Sequence, residues 1–177
     1  FTHVPGLKVV YPAWPNEAKA LLMQSIADPN PVMFFEHKAL YRTLKEPVQM
    51  GAVSIPLGQA KVESEGSELS VITYGMGVHW ALEELRKQDF EGRVEVINLR
   101  TLAPLDQETI ASSVKKTGRA LILQEDIAVG GFGEHIAAMV ARECFEYLDA
   151  PVELVASDAT PIPFAAELEK GFLASAK

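Results

Sequence analysis

Apolar residues come in short runs separated by longer amphipathic stretches, a pattern that predicts strands alternating with helices. Leu7-Lys8-Val9-Val10-Tyr11, closed by Pro12, reads as the first strand. Asn16 then stands where a helix cap belongs, with Glu17 in the first turn and Ala18, Leu21, Leu22, Ser25 and Ile26 along one face. Asp28-Pro29-Asn30-Pro31 ends that helix, because a residue preceding proline is pushed out of the helical region. Val32-Met33-Phe34-Phe35-Glu36 follows as a second buried strand. The result is a β-α-β unit whose strands are most simply parallel. Beyond Thr43 the periodicity disappears and Pro47 and Pro56 punctuate the chain, so residues 44–57 read as a linker between domains.

The remainder alternates more cleanly. Strands are predicted at Leu69–Tyr74, Val94–Leu99, Ala120–Leu123 and Pro151–Val155, with Gly58–Glu63 as a further edge strand. A helix near Val78–Gln88 follows the Gly75-Met76-Gly77 turn. Asp106 caps a second helix carrying Ile110 and Val114, and Gly118 sits where a C-terminal glycine belongs. After Gly130-Gly131-Phe132-Gly133, a third helix places Ile136, Val140, Cys144 and Tyr147 on one stripe. Strands separated by helices of this length predict a mainly parallel, three-layer α/β/α domain over residues 58–177, preceded by the β-α-β unit of residues 1–43.

Charge divides the chain at the same place. Residues 1–57 hold five Lys/Arg against four Asp/Glu, and the rest holds eleven against twenty, so a mildly basic front joins an acidic body within a net charge of −8. Nucleic acid needs a basic footprint, which excludes it as a partner. No apolar run reaches the roughly eighteen residues of a membrane span, and the opening Phe1–Gly6 has no basic stretch followed by an apolar core, so no secretory signal is expected within this sequence. The missing initiator Met points to a fragment or a processed chain. A single cysteine, Cys144, excludes an internal disulfide framework and implies a reducing, cytoplasmic setting.

The candidate chemistry is sparse. Gly75-Met76-Gly77 lies where a dinucleotide fingerprint would lie, but the third small residue is replaced by Trp80, so an ordinary strand-to-helix turn is the better reading. The Gly130–Gly133 turn could offer amides to an anion, although Glu134 already puts negative charge there, which favours simple close packing. His3, His37, His79 and His135 lack metal spacing, and His79 and His135 fall near helix starts, where a polar surface role is common. His37 follows a strand at the edge where open α/β sheets bind ligands, and Glu125-Asp126 ends another strand at that edge. Cys144, on an apolar stripe, reads as a small buried hydrophobe. No nucleophile elbow and no P-loop lysine occurs.

The order of motifs is nonetheless specific. His3-Val4-Pro5-Gly6-Leu7, Ala18-Lys19-Ala20-Leu21-Leu22, Asp28-Pro29-Asn30-Pro31, Phe34-Phe35-Glu36-His37-Lys38 with Leu40-Tyr41-Arg42, Asn98-Leu99-Arg100-Thr101-Leu102 with Pro104 and Asp106, Gly130-Gly131-Phe132, and Thr160-Pro161-Ile162-Pro163 run nearly the length of the chain. Together they resemble the beta subunits of thiamine-diphosphate-dependent 2-oxo acid dehydrogenases, with the Phe-Glu-His-Lys stretch closest to the branched-chain (2-oxoisovalerate) type. The resemblance implies that residues 1–43 are the tail of a pyrimidine-binding domain and residues 58–177 a transketolase C-terminal-like domain.

It also implies that the intact subunit decarboxylates a 2-oxo acid on thiamine diphosphate with Mg²⁺ and passes the acyl group to a lipoyl arm. The family's activating glutamate and its His-Ser-Gln motif have no counterpart here, so this chain alone is expected to be inactive, with no catalytic or cofactor-binding residue of its own. One family site does reach it, a K⁺ site whose matching positions are Ser25, Ile26, Asp28 and Asn30. Implied partners are an alpha subunit or fused alpha half, a second beta subunit, and the basic subunit-binding domain of the lipoyl acyltransferase. Alternatives left open are a pyruvate dehydrogenase beta subunit, a transketolase or deoxyxylulose-phosphate synthase relative, and a transketolase-like assembly module without catalysis.

Overall fold

The computed structural model describes residues 1–51 and 53–174. Near the N-terminus β1 (Lys8–Val10) and β2 (Val32–Phe34) pair in parallel, Val9 opposite Met33, with helix α1 (Pro15–Ala27) as the crossover. Pro15 sits at the first helical position, where its missing N–H has no role, so the cap is Trp14 and Asn16 lies inside the helix. The helix is rotated from its predicted stripe: Leu21 of that stripe is buried, but beside Glu17 and Ala20, while Leu22 and Ile26 are 44% and 77% exposed. A short helix α2 (Leu40–Thr43) closes this part of the chain.

The second part is a five-stranded sheet built from β3 (Lys61–Ser64), β4 (Gly66–Thr73), β5 (Gly92–Asn98), β7 (Ala120–Ile127) and β8 (Glu153–Ser157). Their order is β3-β5-β4-β7-β8, and all neighbours are parallel except the edge strand β3, which runs antiparallel to β5. Helix α3 (Met76–Gln88) lies against one face over Val71, Val94 and Val96. Helices α4 (Gln107–Thr117) and α5 (Phe132–Glu143) cover the other, around Ile72, Ile97, Ile122 and Ile136. A short α6 (Ala166–Phe172) follows the last strand. The sheet is thus covered on both faces, the three layers predicted for this region. Asp106 caps α4 by accepting the Thr109 amide at 3.0 Å, and Gly118 ends it in the left-handed region at φ 71°. Helix α5 stops at Glu143: Cys144 is fully buried, and burial pushes its thiol pKa up, but Tyr147 lies in a 3-10 turn and is half exposed, off the predicted stripe.

Two features join what the sequence separates. Strand β6 (Thr101–Ala103) leaves the large sheet and adds to β1 antiparallel, giving a small sheet β2-β1-β6 shared by both parts of the chain. Residues 46–51, instead of hanging free, lie along α1. The Asn16 amide donates to Glu46, Asn16 Nδ2 to the Pro47 carbonyl at 2.9 Å, and Lys19 Nζ to the Gly51 carbonyl at 3.0 Å. The glutamate carboxylate meets the positive end of the helix, which an anion stabilises.

Candidate functional site

The carboxyl ends of β1, β2, β4 and β7 converge on one crevice. From β4 the chain crosses to β5 on one side and returns to β7 on the other, so β4 and β7 flank the topological switch point where open α/β sheets bind ligands. Each strand places a side chain there: Tyr11 after β1, Phe35 after β2, Tyr74 after β4, and Glu125 and Asp126 from the last turn of β7. The rings form a continuous wall, with Tyr11 5.6 Å from Tyr74 and 6.1 Å from Phe35 between centroids. The crevice they line measures about 830 Å³. Gly75 permits this wall: its φ is +55°, and a Cβ there would stand 2.9 Å from the Tyr11 ring. Gly77 makes room for Thr73 in the same way, since its Cβ would fall 2.1 Å from Thr73 Oγ1. Both glycines therefore serve packing, as an ordinary turn requires.

His37 approaches from the next loop, its Nε2 3.0 Å from Glu125 Oε1, a contact between the two parts of the chain. Its side chain is only 17% exposed, and the bond to Glu125 holds the imidazole pKa above its usual value against the opposing effect of burial. The Nδ1 is buried without a hydrogen-bond partner among the described residues. Tyr11 is pushed up to about 12 by burial and then by Glu125. Tyr74 is driven up too, by burial first and then by Asp126, Tyr11 and Glu125. Both phenols are protonated at neutral pH, in a field set by carboxylates.

Beneath the linker strap lies a second polar centre. Glu17 from α1 accepts from Arg100 Nε at 2.8 Å and from Asn98 Nδ2 at 3.0 Å, and Asn98 also donates to Glu63 at 2.9 Å. Trp14 Nε1 donates to the same Glu63 at 3.0 Å, and Lys61 pairs with it at 2.6 Å. The Glu17 and Arg100 side chains are 6% and 12% exposed. Arg100 adopts φ 59°, a left-handed conformation that costs an L residue roughly 1–2 kcal/mol. The Tyr11 amide donates to its carbonyl at 2.8 Å, so the turn is held from both sides. His79, predicted at the surface, instead bonds the Ala13 carbonyl at 2.8 Å and meets the Trp14 ring edge-on. Sequence reasoning missed this clasp. Its traces were an acidic residue two positions after Pro15 and the Asn98-Leu99-Arg100 at the end of a strand.

The four expected cation-site positions lie at the C-terminal end of α1. Asp28 closes the last turn, its amide donating to the Ser25 carbonyl at 3.4 Å, while its carboxylate accepts the Asn30 amide at 2.9 Å. The same carboxylate pairs with the Lys8 ammonium, which holds its pKa below the usual range. Ile26 is exposed, so only its carbonyl is a candidate ligand. The Gly130–Gly133 turn is already occupied. The Gly130 amide donates to Glu134 at 3.1 Å and the Gly133 amide to buried Gln124 at 2.6 Å. A Cβ on Gly131 would stand 2.2 Å from Gln124 Nε2, so the glycines are there for close packing. No group of three or more His, Cys, Asp or Glu able to hold a metal occurs among the described residues. No helix among them is long and apolar enough to cross a membrane.

This architecture defines a transketolase-type α/β protein. A solved structure titled "Split gene transketolase, inactive beta4 tetramer" superposes with a TM-score of 0.72 over 98% of this chain and 55% of its own, at 23% identity. The family described as "Transketolase, C-terminal domain" matches residues 58–177, and "Transketolase, pyrimidine binding domain" matches residues 1–43. The chain belongs to the transketolase C-terminal domain family. Among similar curated proteins, the beta subunit of acetoin:2,6-dichlorophenolindophenol oxidoreductase from Cupriavidus necator is 44% identical over 99% of this chain and 52% of its own length. The 2-oxoisovalerate dehydrogenase beta subunit of Bacillus subtilis is 40% identical over 98% and 54% respectively. A pyruvate dehydrogenase E1 beta subunit from Rickettsia felis is 44% identical over 96% and 52%. The chain spans about half the length of these relatives.

Proposed function

We propose that this chain is the C-terminal part of the beta subunit of a 2-oxo acid dehydrogenase, the branched-chain type first. What carries the reading is similarity at 40% identity or more to beta subunits, across nearly the whole of this chain. In the intact enzyme thiamine diphosphate, with Mg²⁺, supplies the carbanion stabilisation. The residues here do other work. Glu17, Asn98 and Arg100 lock residues 1–43 to residues 58–177, so that the first part is held at a fixed angle to the second. The end of α1, with Ser25, Ile26, Asp28 and Asn30, contributes carbonyls and a carboxylate to a K⁺ site; helix-terminal carbonyls carry partial negative charge, which suits a cation. Lys8 competes for the same carboxylate. Leu22, Met23 and Ile26 stand exposed along α1, in keeping with burial against an alpha or second beta subunit. The acidic body favours docking of the basic subunit-binding domain of a lipoyl acyltransferase. The lone buried thiol suits a reducing, cytoplasmic setting.

The acetoin-type relative supports a second reading, a beta subunit acting on a 2-hydroxyketone, for which the same lower half would serve. Docking separates dehydrogenase complexes from transketolase-like enzymes. The intact beta subunit, assembled with its alpha partner, is titrated with a purified subunit-binding domain at low and high salt. Binding that weakens steeply with salt is expected. No binding at low salt by a folded assembly would contradict the reading.

A further inference from the structure

The switch-point crevice has a chemistry that neither the dehydrogenase reading nor the clasp uses. Its walls are rings, Tyr11, Phe35, Tyr74 and Phe132, and its charged groups are the carboxylates Glu125, Asp126 and Glu169. No lysine or arginine lines it, and His3 is its one basic side chain. Neither phenolic hydroxyl has a hydrogen-bond partner among the described residues. Asp126 keeps one oxygen on the Ile127 amide at 2.8 Å and leaves the other free among the described residues. An anion would meet the Asp126 and Glu169 carboxylates here, and a neutral apolar ligand would strand the two hydroxyls and these acids. A cation is favoured by every one of these groups: ring faces attract it through their quadrupoles, carboxylates through charge, and hydroxyl oxygens accept its N–H bonds.

We propose that this crevice binds an organic cation, an alkylammonium or guanidinium group seated against the Tyr11 and Tyr74 rings with Asp126 as its counter-charge, Glu125 being paired with His37. The volume, about 830 Å³, is within the range of ligand sites and exceeds what one ammonium fills, so the cation is carried by a larger body. Two sources present this chemistry, a free aliphatic amine and a basic side chain on a protein segment. The rings and acids named here all belong to this chain, whichever substrate the intact enzyme takes.

The test is an NMR titration of ring-labelled tyrosine in the intact beta subunit assembled with its alpha partner. The chain has four tyrosines, so Tyr11 and Tyr74 are assigned with Y11F and Y74F. Probes are tetramethylammonium, n-butylammonium, neutral n-butanol and a short lysine-containing peptide. Saturable shifts of Tyr11 and Tyr74 with the cations, absent with n-butanol and weakened by salt, are expected. The exposed Asp126→Asn change should weaken binding about fivefold without altering the unligated spectrum. If n-butylammonium alone saturates the site, the ligand is a free amine; if only the peptide does, it is a basic side chain. Equal shifts with n-butanol, or no saturable shift with any cation in a folded sample, would overturn the proposal.

Discussion

Replacing Glu17 by alanine removes the centre of the clasp. Three partners lose their acceptor: Arg100 Nε at 2.8 Å, Asn98 Nδ2 at 3.0 Å and the Ala13 amide at 3.3 Å. Arg100 would be left 12% exposed and without its carboxylate. Stranding one partner of a buried pair costs about 3–5 kcal/mol. The cavity of about 400 Å³ beside Arg100 gives its guanidinium some access to water, which favours the lower end, near 3 kcal/mol. Urea unfolding followed by far-UV circular dichroism measures the loss. The pairwise share comes from the cycle E17A, R100A and E17A/R100A, where a coupling of about 2 kcal/mol is expected for groups in direct contact. Additivity within about 0.5 kcal/mol would refute the claim that Glu17 and Arg100 act as one unit. A fall in the urea slope with E17A alone would show residues 1–43 unfolding separately from the large sheet.

Other consequences concern single positions. Because Glu125 raises the His37 pKa, their bond contributes its full stability below the ordinary imidazole value of about 6.5 and loses it as pH rises through the higher folded value. His37→Gln should flatten that part of the stability-pH curve, and an unchanged curve would discard the pair as the cause. Asp106→Ala removes the α4 cap and an acceptor for the Ala60 amide, so a loss of about 1–2 kcal/mol is expected in urea; under 0.3 kcal/mol would show that the cap is dispensable. Gly131→Ala drives a Cβ against Gln124 and the Ile127 carbonyl and should cost about 1–3 kcal/mol, whereas neutrality would mean that the turn yields easily.

How much of this was legible follows from where the information lies. The strands β4, β5, β7 and β8 and the helices between them announce themselves through periodicity, and Asp106 and Gly118 mark the ends of α4 by local chemistry. The crevice was half visible: His37 and Glu125 each follow or end a strand, but nothing in the sequence says that they meet across 88 positions. Helix α1 misled because its inward face shares only Leu21 with the apolar stripe, being set by Glu17 and its distant partners Asn98 and Arg100, which leaves Leu22 and Ile26 outside. Strand β6 has three residues and pairs only with β1, far away in sequence, so no local pattern could reveal it. Residues 46–51 lack periodicity because polar contacts to Asn16 and Lys19, not an apolar face, hold them to α1.

The role proposed for this chain is in a thiamine-diphosphate enzyme acting on 2-oxo acids. The most direct measurement is turnover by the intact beta subunit assembled with its alpha partner, with ferricyanide as electron acceptor and 2-oxoisovalerate, pyruvate and acetoin compared. Thiamine-dependent consumption of a 2-oxo acid, fastest with 2-oxoisovalerate, is the predicted result. Turnover of acetoin with neither 2-oxo acid consumed would contradict it.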